Sequence, residues 1–201
     1  MDIVQYDKKP GYIPIGSAIT SYARNFTIRA AQANYHGLSE PGFIYADTDS
    51  IHCDLPPDKI KGIKVDDNEF CHWKLESCWD LGLFVRQKTY LEHVTHENLK
   101  PIKEPYTSIK CAGMPQRCKD LFLLALDHST RDKLMKDDEF YTSIFEEYGA
   151  PGVDFLLENQ LELQDFKVGL LIPTGKLIPK HIPSGILLVD SPYNMRKKIL
   201  G

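Results

Sequence analysis

The chain has 201 residues, of which 42% are hydrophobic, and a formal net charge of -4. This length favours one domain, or one domain with a small appendage, and the composition excludes a disordered chain or a polybasic tail. No apolar run approaches the roughly 18 residues of a membrane-spanning helix, which excludes an integral membrane role. We expect no signal peptide, since the first residues lack a basic flank and an apolar stretch. Five scattered cysteines favour a reducing cytosol over a disulfide scaffold.

Charge is distributed unevenly along the chain. Between Asp137 and Asp165 there are nine acidic residues and no Lys or Arg, whereas from Phe166 to the end there are six Lys or Arg and one acid. The C-terminal segment can therefore attract a polyanion although the whole chain is slightly acidic.

The first predicted element is a helix from about Ser17 to Tyr35. Ser17 can cap its start, and Gly37 follows its end. A β-hairpin comes next, with strand formers at residues 42–46 and alternating polar and apolar residues at 50–55. The helix is predicted from an apolar stripe whose members recur at helical spacing: Ile19, Tyr22, Ala23, Phe26, Ala30 and Ala33.

Further along, one long strand is predicted from Leu83 to Val94, with Thr107–Cys111 as its short partner. Apolar residues at helical spacing predict helices at Gln116–His128 and Asp137–Tyr148. The pattern indicates an α+β fold, in which a helix packed on an antiparallel sheet precedes a smaller module of helices and β-ribbon. Three short segments separated by proline-containing breaks predict the ribbon: Phe166–Leu171, Leu177–His181 and Gly185–Val189.

Two carboxylates, Asp47 and Asp49, lie at the tip of the predicted hairpin, within the segment Tyr45–His52. Folding brings these negative charges close together, which is unfavourable unless a cation binds. Hard divalent cations prefer oxygen ligands, and Mg²⁺ keeps coordination positions for water and phosphate. A carboxylate that bridges two metals can activate an attacking hydroxyl and stabilise a leaving pyrophosphate. The alternative is an ordinary turn, because Asp and Thr are common in turns.

The same segment resembles a motif of a known enzyme family. Tyr-x-Asp-Thr-Asp-Ser at Tyr45–Ser50 is similar to motif C of family B DNA polymerases. Arg86–Tyr90 resembles the Lys-x-Tyr motif of the protein-primed branch of that family, found in phages and linear plasmids. Several such motifs in the right order are more specific than any one alone. The others are the helix Tyr22–Ala33 (palm), Ile109–Met114 (palm to thumb), and Phe166–Gly169 with Pro183–Asp190 (thumb β-ribbon).

The resemblance implies a fold and a metal site. The chain would comprise the C-terminal half of a polymerase palm, at residues 1–111, followed by a thumb at 112–201. Asp49 would be the main catalytic metal ligand and Asp47 its neighbouring catalytic carboxylate. Both would hold Mg²⁺ in a two-metal site that an aspartate of motif A completes.

The resemblance also implies residues that bind DNA. Thr48 would shape the motif C turn beside the primer end, and Lys88 and Tyr90 would hold the primer strand. If residues 83–94 are one strand, Arg86, Lys88 and Tyr90 share a face, and two cations with an aromatic suit a sugar-phosphate backbone. The alternative is a solvated strand face. Cations of the C-terminal segment would grip the duplex, unless they form only a charged surface: Lys167, Lys176, Lys180, Arg196, Lys197 and Lys198.

Two motifs that the family needs are not found in this chain: motif A, Asp-x-x-Ser-Leu-Tyr-Pro, and motif B, whose lysine contacts the incoming triphosphate. The resemblance therefore implies the C-terminal part of a DNA-directed DNA polymerase, a nucleotidyltransferase, that is inactive alone. It would be one subunit of a split enzyme with a separate N-terminal half, or a non-catalytic DNA-binding remnant. The implied partners are primer-template DNA, deoxynucleoside triphosphates and a terminal protein primer, in the cytoplasm of a phage host.

A further expectation concerns the acidic stretch between Asp137 and Asp165. About fifty residues lie between Met114 and Phe166, where the family has a shorter connection. We expect a solvated helical insertion at about 119–165, on the outer face, because its acids would be repelled by DNA phosphates.

A zinc site is a further alternative. It would use His and Cys residues near the hairpin and beyond it, but no Cys-x-x-Cys or His-x-x-x-His spacing supports it. Free cysteines are commonly buried as small hydrophobic residues. The candidate ligands are His52, Cys53, Cys71, His72 and Cys78.

Overall fold

A computed structural model describes residues 11–66 and 68–197. The chain divides into two compact units, Met1–Glu76 and Ser77–Gly201. The predicted boundary between palm and thumb lies after residue 111 and was inferred from the family resemblance, not from compactness. It stays a prediction. Within the described ranges, every helix is too short or too polar to cross a lipid bilayer.

The first unit begins with helix α1, Ile13–Asn34, which starts before the predicted Ser17. Pro14 lies in its first turn, where the fixed φ of proline favours a helix and its missing N–H is not needed. Ser17 is therefore inside the helix rather than at its N-cap. Of the predicted apolar stripe only Ala30 is buried, and the other buried residues of α1 are the polar Thr27 and Asn34.

Helix α1 packs on a two-stranded antiparallel hairpin, β1 Phe43–Asp47 and β2 Ser50–Cys53, as the sequence predicts. Asp47 pairs with Ser50, so the two residues between them form the turn. Asn34, which is fully buried, ties the end of α1 to the loop after the hairpin. Its amide nitrogen donates to the Lys61 carbonyl over 2.9 Å, and its amide oxygen accepts from the Lys61 N–H over 2.8 Å.

The second unit opens with a three-stranded antiparallel sheet in the order β3–β4–β5, namely Ser77–Arg86, Thr89–Glu97 and Lys100–Cys111. The prediction of one strand from Leu83 to Val94 is wrong, because the chain reverses between β3 and β4. Leu83 pairs with Leu91 across the hairpin, so the apolar alternation continues through the turn and conceals it. The predicted partner, Thr107–Cys111, does pair with β4 as the end of β5.

Three helices follow: α2 Gln116–Leu126, α3 Ser129–Lys136 and α4 Asp138–Glu158. The prediction had no α3, and it ended the last helix at Tyr148. The helical backbone of α4 is interrupted at Gly149, directly after this predicted end, with a φ of 65° that is favourable for glycine, and a second helical segment runs to Glu158.

The chain ends in a two-stranded antiparallel ribbon, β6 Leu171–Ile182 and β7 Gly185–Asn194. The predicted segments Leu177–His181 and Gly185–Val189 lie within β6 and β7, whereas the prediction of a strand at Phe166–Leu171 is wrong. Phe166 lies before the ribbon and is buried, with 1% of its surface exposed. Pro173–Gly175 does not break β6 but shifts its register against β7 between Ile172 and Lys176.

The hydrophobic core of the second unit joins these helices to the sheet and to the base of the ribbon. The expectation of a solvated insertion at 119–165 is wrong in this respect, because α2 to α4 supply much of the core. The acidic residues between Asp137 and Asp165 are nevertheless almost all exposed. The core side chains from these helices include Leu121, Phe122, Ile144 and Leu156.

Candidate functional site

The two carboxylates of the motif C segment lie at the end of the hairpin formed by β1 and β2. Asp47 is the last residue of β1, and Thr48 and Asp49 form the turn. Thr48 adopts a left-handed backbone with φ 46°. The turn is held by its own polar groups: the Asp49 N–H donates to the Asp47 carbonyl over 2.5 Å, and the Ser50 hydroxyl donates to the same oxygen over 3.1 Å. The Thr48 hydroxyl donates to the Asp47 carboxylate over 3.1 Å.

Helix α1 fixes this turn through a residue that the sequence did not single out. The Thr27 hydroxyl donates to the Thr48 carbonyl over 3.1 Å and lies 3.2 Å from the Ala23 carbonyl within the helix. Only 6% of Thr27 is exposed. Its signal in the sequence is weak, because a polar residue in an amphipathic helix usually faces solvent.

The hairpin end offers oxygen ligands that suit a hard divalent cation. Asp49 is exposed and Asp47 is half-buried, so neither carboxylate is deep in the protein. Among the residues that the structure describes, no three His, Cys, Asp or Glu side chains come together as a metal-binding group. Asp47 and Asp49 would supply only part of a Mg²⁺ ligand set.

The zinc alternative gains no support from the described residues. The candidate His and Cys ligands do not form a metal-binding group there. Burial raises the pKa of the Cys53 thiol, and that of the Cys78 thiol, which disfavours the thiolate that zinc requires.

The structure separates the three residues that were expected on one strand face. Arg86 is the last residue of β3, Lys88 lies in the turn with φ 57°, and Tyr90 is in β4. Tyr90 stacks on Phe84, with ring centroids 5.4 Å apart. The Lys88 carbonyl accepts from the Ala112 N–H over 2.8 Å, which links the turn to the segment after β5.

Arg86 points towards the base of the ribbon. Its Nε donates to the Thr89 hydroxyl over 3.2 Å, and its Nη1 donates to the Arg196 carbonyl over 2.5 Å. A second link joins the same parts, because the Cys111 Sγ lies 3.1 Å from the Tyr193 hydroxyl. Burial raises the pKa of Tyr193, and so does this hydrogen bond, so its hydroxyl is protonated at neutral pH.

The lysines expected to grip duplex DNA lie in two places. Lys167 follows a short 3₁₀ helix and forms an ion pair with Asp165 over 3.0 Å. Lys176 and Lys180 share one face of β6, since they are four residues apart in a strand. Lys198 lies outside the described residues.

Comparison with known proteins agrees with the motifs. No family model matches the chain. The DNA polymerase of Bacillus phage phi29 is 31% identical to it in an alignment that covers 94% of this chain and 27% of that protein. A solved structure of phi29 DNA polymerase complexed with primer-template DNA is 28% identical over 94% of this chain, with a TM-score of 0.60. Its ternary complex with incoming nucleotide substrates gives a TM-score of 0.57.

The chain is homologous to phi29-type protein-primed DNA polymerases. It spans about 27% of the length of these relatives. The resemblance found from the motifs, to the C-terminal part of a phage-type protein-primed polymerase, is thereby confirmed, and so is the α+β fold class. The roles of individual residues remain predictions.

Proposed function

We propose that this chain supplies motif C and the thumb of a family B DNA-directed DNA polymerase, which transfers nucleotides to a primer. The observation that carries the proposal is the hairpin end at Asp47 and Asp49, within a region homologous to phage DNA polymerases. The hydroxyls of Thr27 and Ser50 donate hydrogen bonds to backbone carbonyls at this turn and hold its shape. It presents both carboxylates on a fixed support.

Asp49 would be the main ligand for Mg²⁺, with Asp47 beside it. When bound, Mg²⁺ lowers the pKa of an attacking hydroxyl and stabilises the negative charge of a leaving pyrophosphate. The residues of this chain orient the ligands: the Thr48 hydroxyl donates to Asp47, and the left-handed backbone of Thr48 turns the chain between them. A motif A aspartate would complete the ligand set.

Primer-template DNA and deoxynucleoside triphosphates are the proposed substrates. The similar phi29 structures were solved with primer-template DNA and with incoming nucleotides, which supports this assignment. A terminal protein as primer and the host cytoplasm as location are proposed from the same homology. Thr48 would lie beside the primer end, and the cations with one aromatic would hold DNA: Arg86, Lys88, Tyr90, Lys167, Lys176 and Lys180.

Large apolar side chains of α1 are exposed, and this face supports the proposal that a further part of the enzyme, with motifs A and B, packs there. Ile19 is 64% exposed and Tyr22 is 77% exposed. Large apolar side chains at helical spacing are a common sign of a covered surface. We propose that the part with motifs A and B, in the same polypeptide or in another, packs on this face.

The test combines the chain with a polypeptide that carries motifs A and B, and measures Mg²⁺-dependent nucleotide incorporation. Asp49→Ala should lower the rate by at least about a hundredfold, because it removes a metal ligand. Asp58→Ala is the matched control, since Asp58 is an exposed acid of the same unit, in a short 3₁₀ helix. Incorporation that persists in Asp49→Ala at the rate of the control would refute the proposal.

A second candidate is DNA binding without catalysis. The observation that favours it is the incomplete metal site of the described residues. It predicts that the chain alone binds DNA and that no complement with motifs A and B restores incorporation. Restored incorporation in the same assay would exclude it.

A further inference from the structure

Helix α4 exposes two aromatic rings side by side. Tyr141 and Phe145 are one turn apart, their rings stack with centroids 6.3 Å apart, and they are 41% and 47% exposed. The buried side of the same helical segment carries Ile144 and Tyr148 instead. Single exposed apolar side chains are normal on a protein surface, whereas adjacent ones that form a patch are typical of interaction surfaces.

Acidic side chains border the aromatic pair. At helical spacing Asp138 lies in line with the two rings, and Glu139 and Glu146 belong to the neighbouring row. All three acids are exposed, and none of them forms an ion pair within the ranges 11–66 and 68–197. We define these three acids, together with Tyr141 and Phe145, as the α4 face.

The cations of the two preceding helices are paired with other acids. Lys133 and Lys136 of α3 form ion pairs with carboxylates of α3 and of the segment before it, over 3.4 and 3.3 Å. Arg117 of α2 forms an ion pair with Glu147 over 2.8 Å, on the side of α4 towards α2. The α4 face therefore keeps its negative charge.

Helix stability accounts for only part of this charge. Asp138 and Glu139 are in the first turn of α4, where negative charge interacts favourably with the helix dipole. Glu146 lies two turns further along, beyond the reach of that effect. The dipole therefore does not explain an acid beside Phe145.

Aromatic rings with carboxylates beside them suit an arginine side chain. A guanidinium stacks on an aromatic ring and can donate paired hydrogen bonds to a carboxylate, whereas an ammonium lacks this planar geometry. The negative charge disfavours nucleic acid and acidic proteins as occupants. The seven residues from Asp138 to Phe145 span about 10 Å, or about three residues of extended chain, so a segment with two or three arginines covers the face.

We propose that the α4 face binds an arginine-rich segment of another protein. Tyr141 and Phe145 provide the stacking surface, and the three acids provide charge complementarity. Such binding is separate from the proposed polymerase function and does not depend on it. Because the face is small and exposed, the complex should be weak and sensitive to salt.

The test measures binding of a fluorescent peptide of alternating Arg and Ser to the full chain by anisotropy at low salt. A Lys-Ser peptide of equal charge should bind more weakly, and a Glu-Ser peptide should not bind. Y141A/F145A should weaken binding of the Arg-Ser peptide at least about fivefold, because it removes the stacking surface. E139Q/E146Q should also weaken it at least about fivefold, because it removes two charges.

The matched control is D154N/E158Q, which changes the net charge by the same amount. Asp154 and Glu158 are exposed acids of the second helical segment of α4, outside the α4 face. This variant should bind the Arg-Ser peptide within about twofold of wild type, since distant charges are screened. Circular dichroism and urea unfolding verify that all variants fold.

Three results of the peptide assay would overturn the inference. Absence of Arg-Ser binding by wild type at low salt is the first. Equal losses in E139Q/E146Q and D154N/E158Q would mean that the peptide senses only the overall charge. Unchanged binding in Y141A/F145A, with equal affinities for the Arg-Ser and Lys-Ser peptides, would exclude the aromatic contact.

Sedimentation velocity tests a different occupant, a second copy of this chain. We expect the same sedimentation for wild type and Y141A/F145A. An oligomer of wild type that dissociates in Y141A/F145A would assign the α4 face to self-association and overturn the inference. None of these results bears on the polymerase proposal, which the incorporation assay with Asp49→Ala decides.

Discussion

The two compact units hold their functional residues in different ways. Among the described residues, Ala30 is the only buried hydrophobic residue of Met1–Glu76, whereas all others belong to Ser77–Gly201. The motif C hairpin is therefore positioned by directional hydrogen bonds, from Thr27 to its turn and from Asn34 to the loop that follows. The ribbon base, in contrast, stands on a hydrophobic core that includes Phe122.

This difference indicates how each unit tolerates change. A core-supported module loses stability mainly when buried volume is removed. A unit held by a few polar contacts loses geometry when one hydrogen bond is removed, although its stability changes little. The carboxylates that we propose as catalytic lie on the second kind of support, and the exposed apolar face of α1 is suited to receive additional packing.

The largest expected effect tests the core side of the comparison. Phe122→Ala removes a fully buried ring that packs edge-on against Phe166 with centroids 5.6 Å apart, and should lower the free energy of unfolding by about 3–5 kcal/mol. Phe26→Ala is the matched change in the first unit, where the ring is 50% exposed and stacks on Trp73, and it should cost about 1 kcal/mol.

Urea unfolding followed by tryptophan fluorescence can separate these two effects. Trp73 lies in the first unit and Trp79 in the second, so single-tryptophan variants report each unit in turn. Equal losses from Phe122→Ala and Phe26→Ala would contradict the proposed difference between the units.

The next effect tests the polar support of the hairpin. Thr27→Val keeps the shape of the side chain and removes the hydrogen bond to the Thr48 carbonyl, so it should cost about 1 kcal/mol of stability. In the incorporation assay it should lower kcat by about tenfold and leave DNA affinity unchanged, because Thr27 positions the turn and touches no substrate.

Thr20→Val is the control for Thr27→Val. Thr20 is on the exposed part of α1, and the hydrogen bonds described for its hydroxyl stay within the helix. A decrease in kcat of the same size in both variants would mean that α1 as a whole, and not the bond to Thr48, determines the rate.

Sequence alone predicted the hairpin and its two carboxylates because strand formers flank a turn of polar residues. It also predicted where α1 ends, where Gly37 follows the helix. It did not reveal the turn at residues 87–88, since the pairing of Leu83 with Leu91 preserves the alternation through the reversal. A two-residue turn without Gly, Asn or Asp carries no local signal.

The support of the site was harder to predict than the site itself. Thr27 and the Asp190 carboxylate act through contacts 21 and 16 residues away in the sequence, which periodicity does not report. The acidic stretch was misjudged for a related reason. Its charges indicated a solvated surface, yet the residues between them, such as Ile144 and Leu156, form one face of the core.

The smallest effect depends on pH and concerns the ribbon base. Partial burial raises the pKa of Asp190, but hydrogen bonds from Thr174, Gly175 and Ser191 together outweigh it, so its pKa lies below the ordinary value. A depressed folded-state pKa gives stability that is present above the unfolded pKa of about 4 and is lost as pH falls through the folded value. Since the side chain is largely exposed, the gain should be below about 1 kcal/mol.

The measurement is a double-mutant cycle of Asp190→Asn and Thr174→Val, followed by the fluorescence of Trp79 during urea unfolding between pH 7 and pH 2.5. We expect a coupling energy that is constant above about pH 5 and decreases below about pH 4, as the carboxylate takes up a proton. A coupling energy that stays constant down to pH 2.5 would mean that the charge of Asp190 is not what stabilises the register shift of β6. Hydrogen bonds to the neutral carboxyl group would then support the ribbon base as well as bonds to the carboxylate do, and both units would depend on polar contacts that do not need a charge.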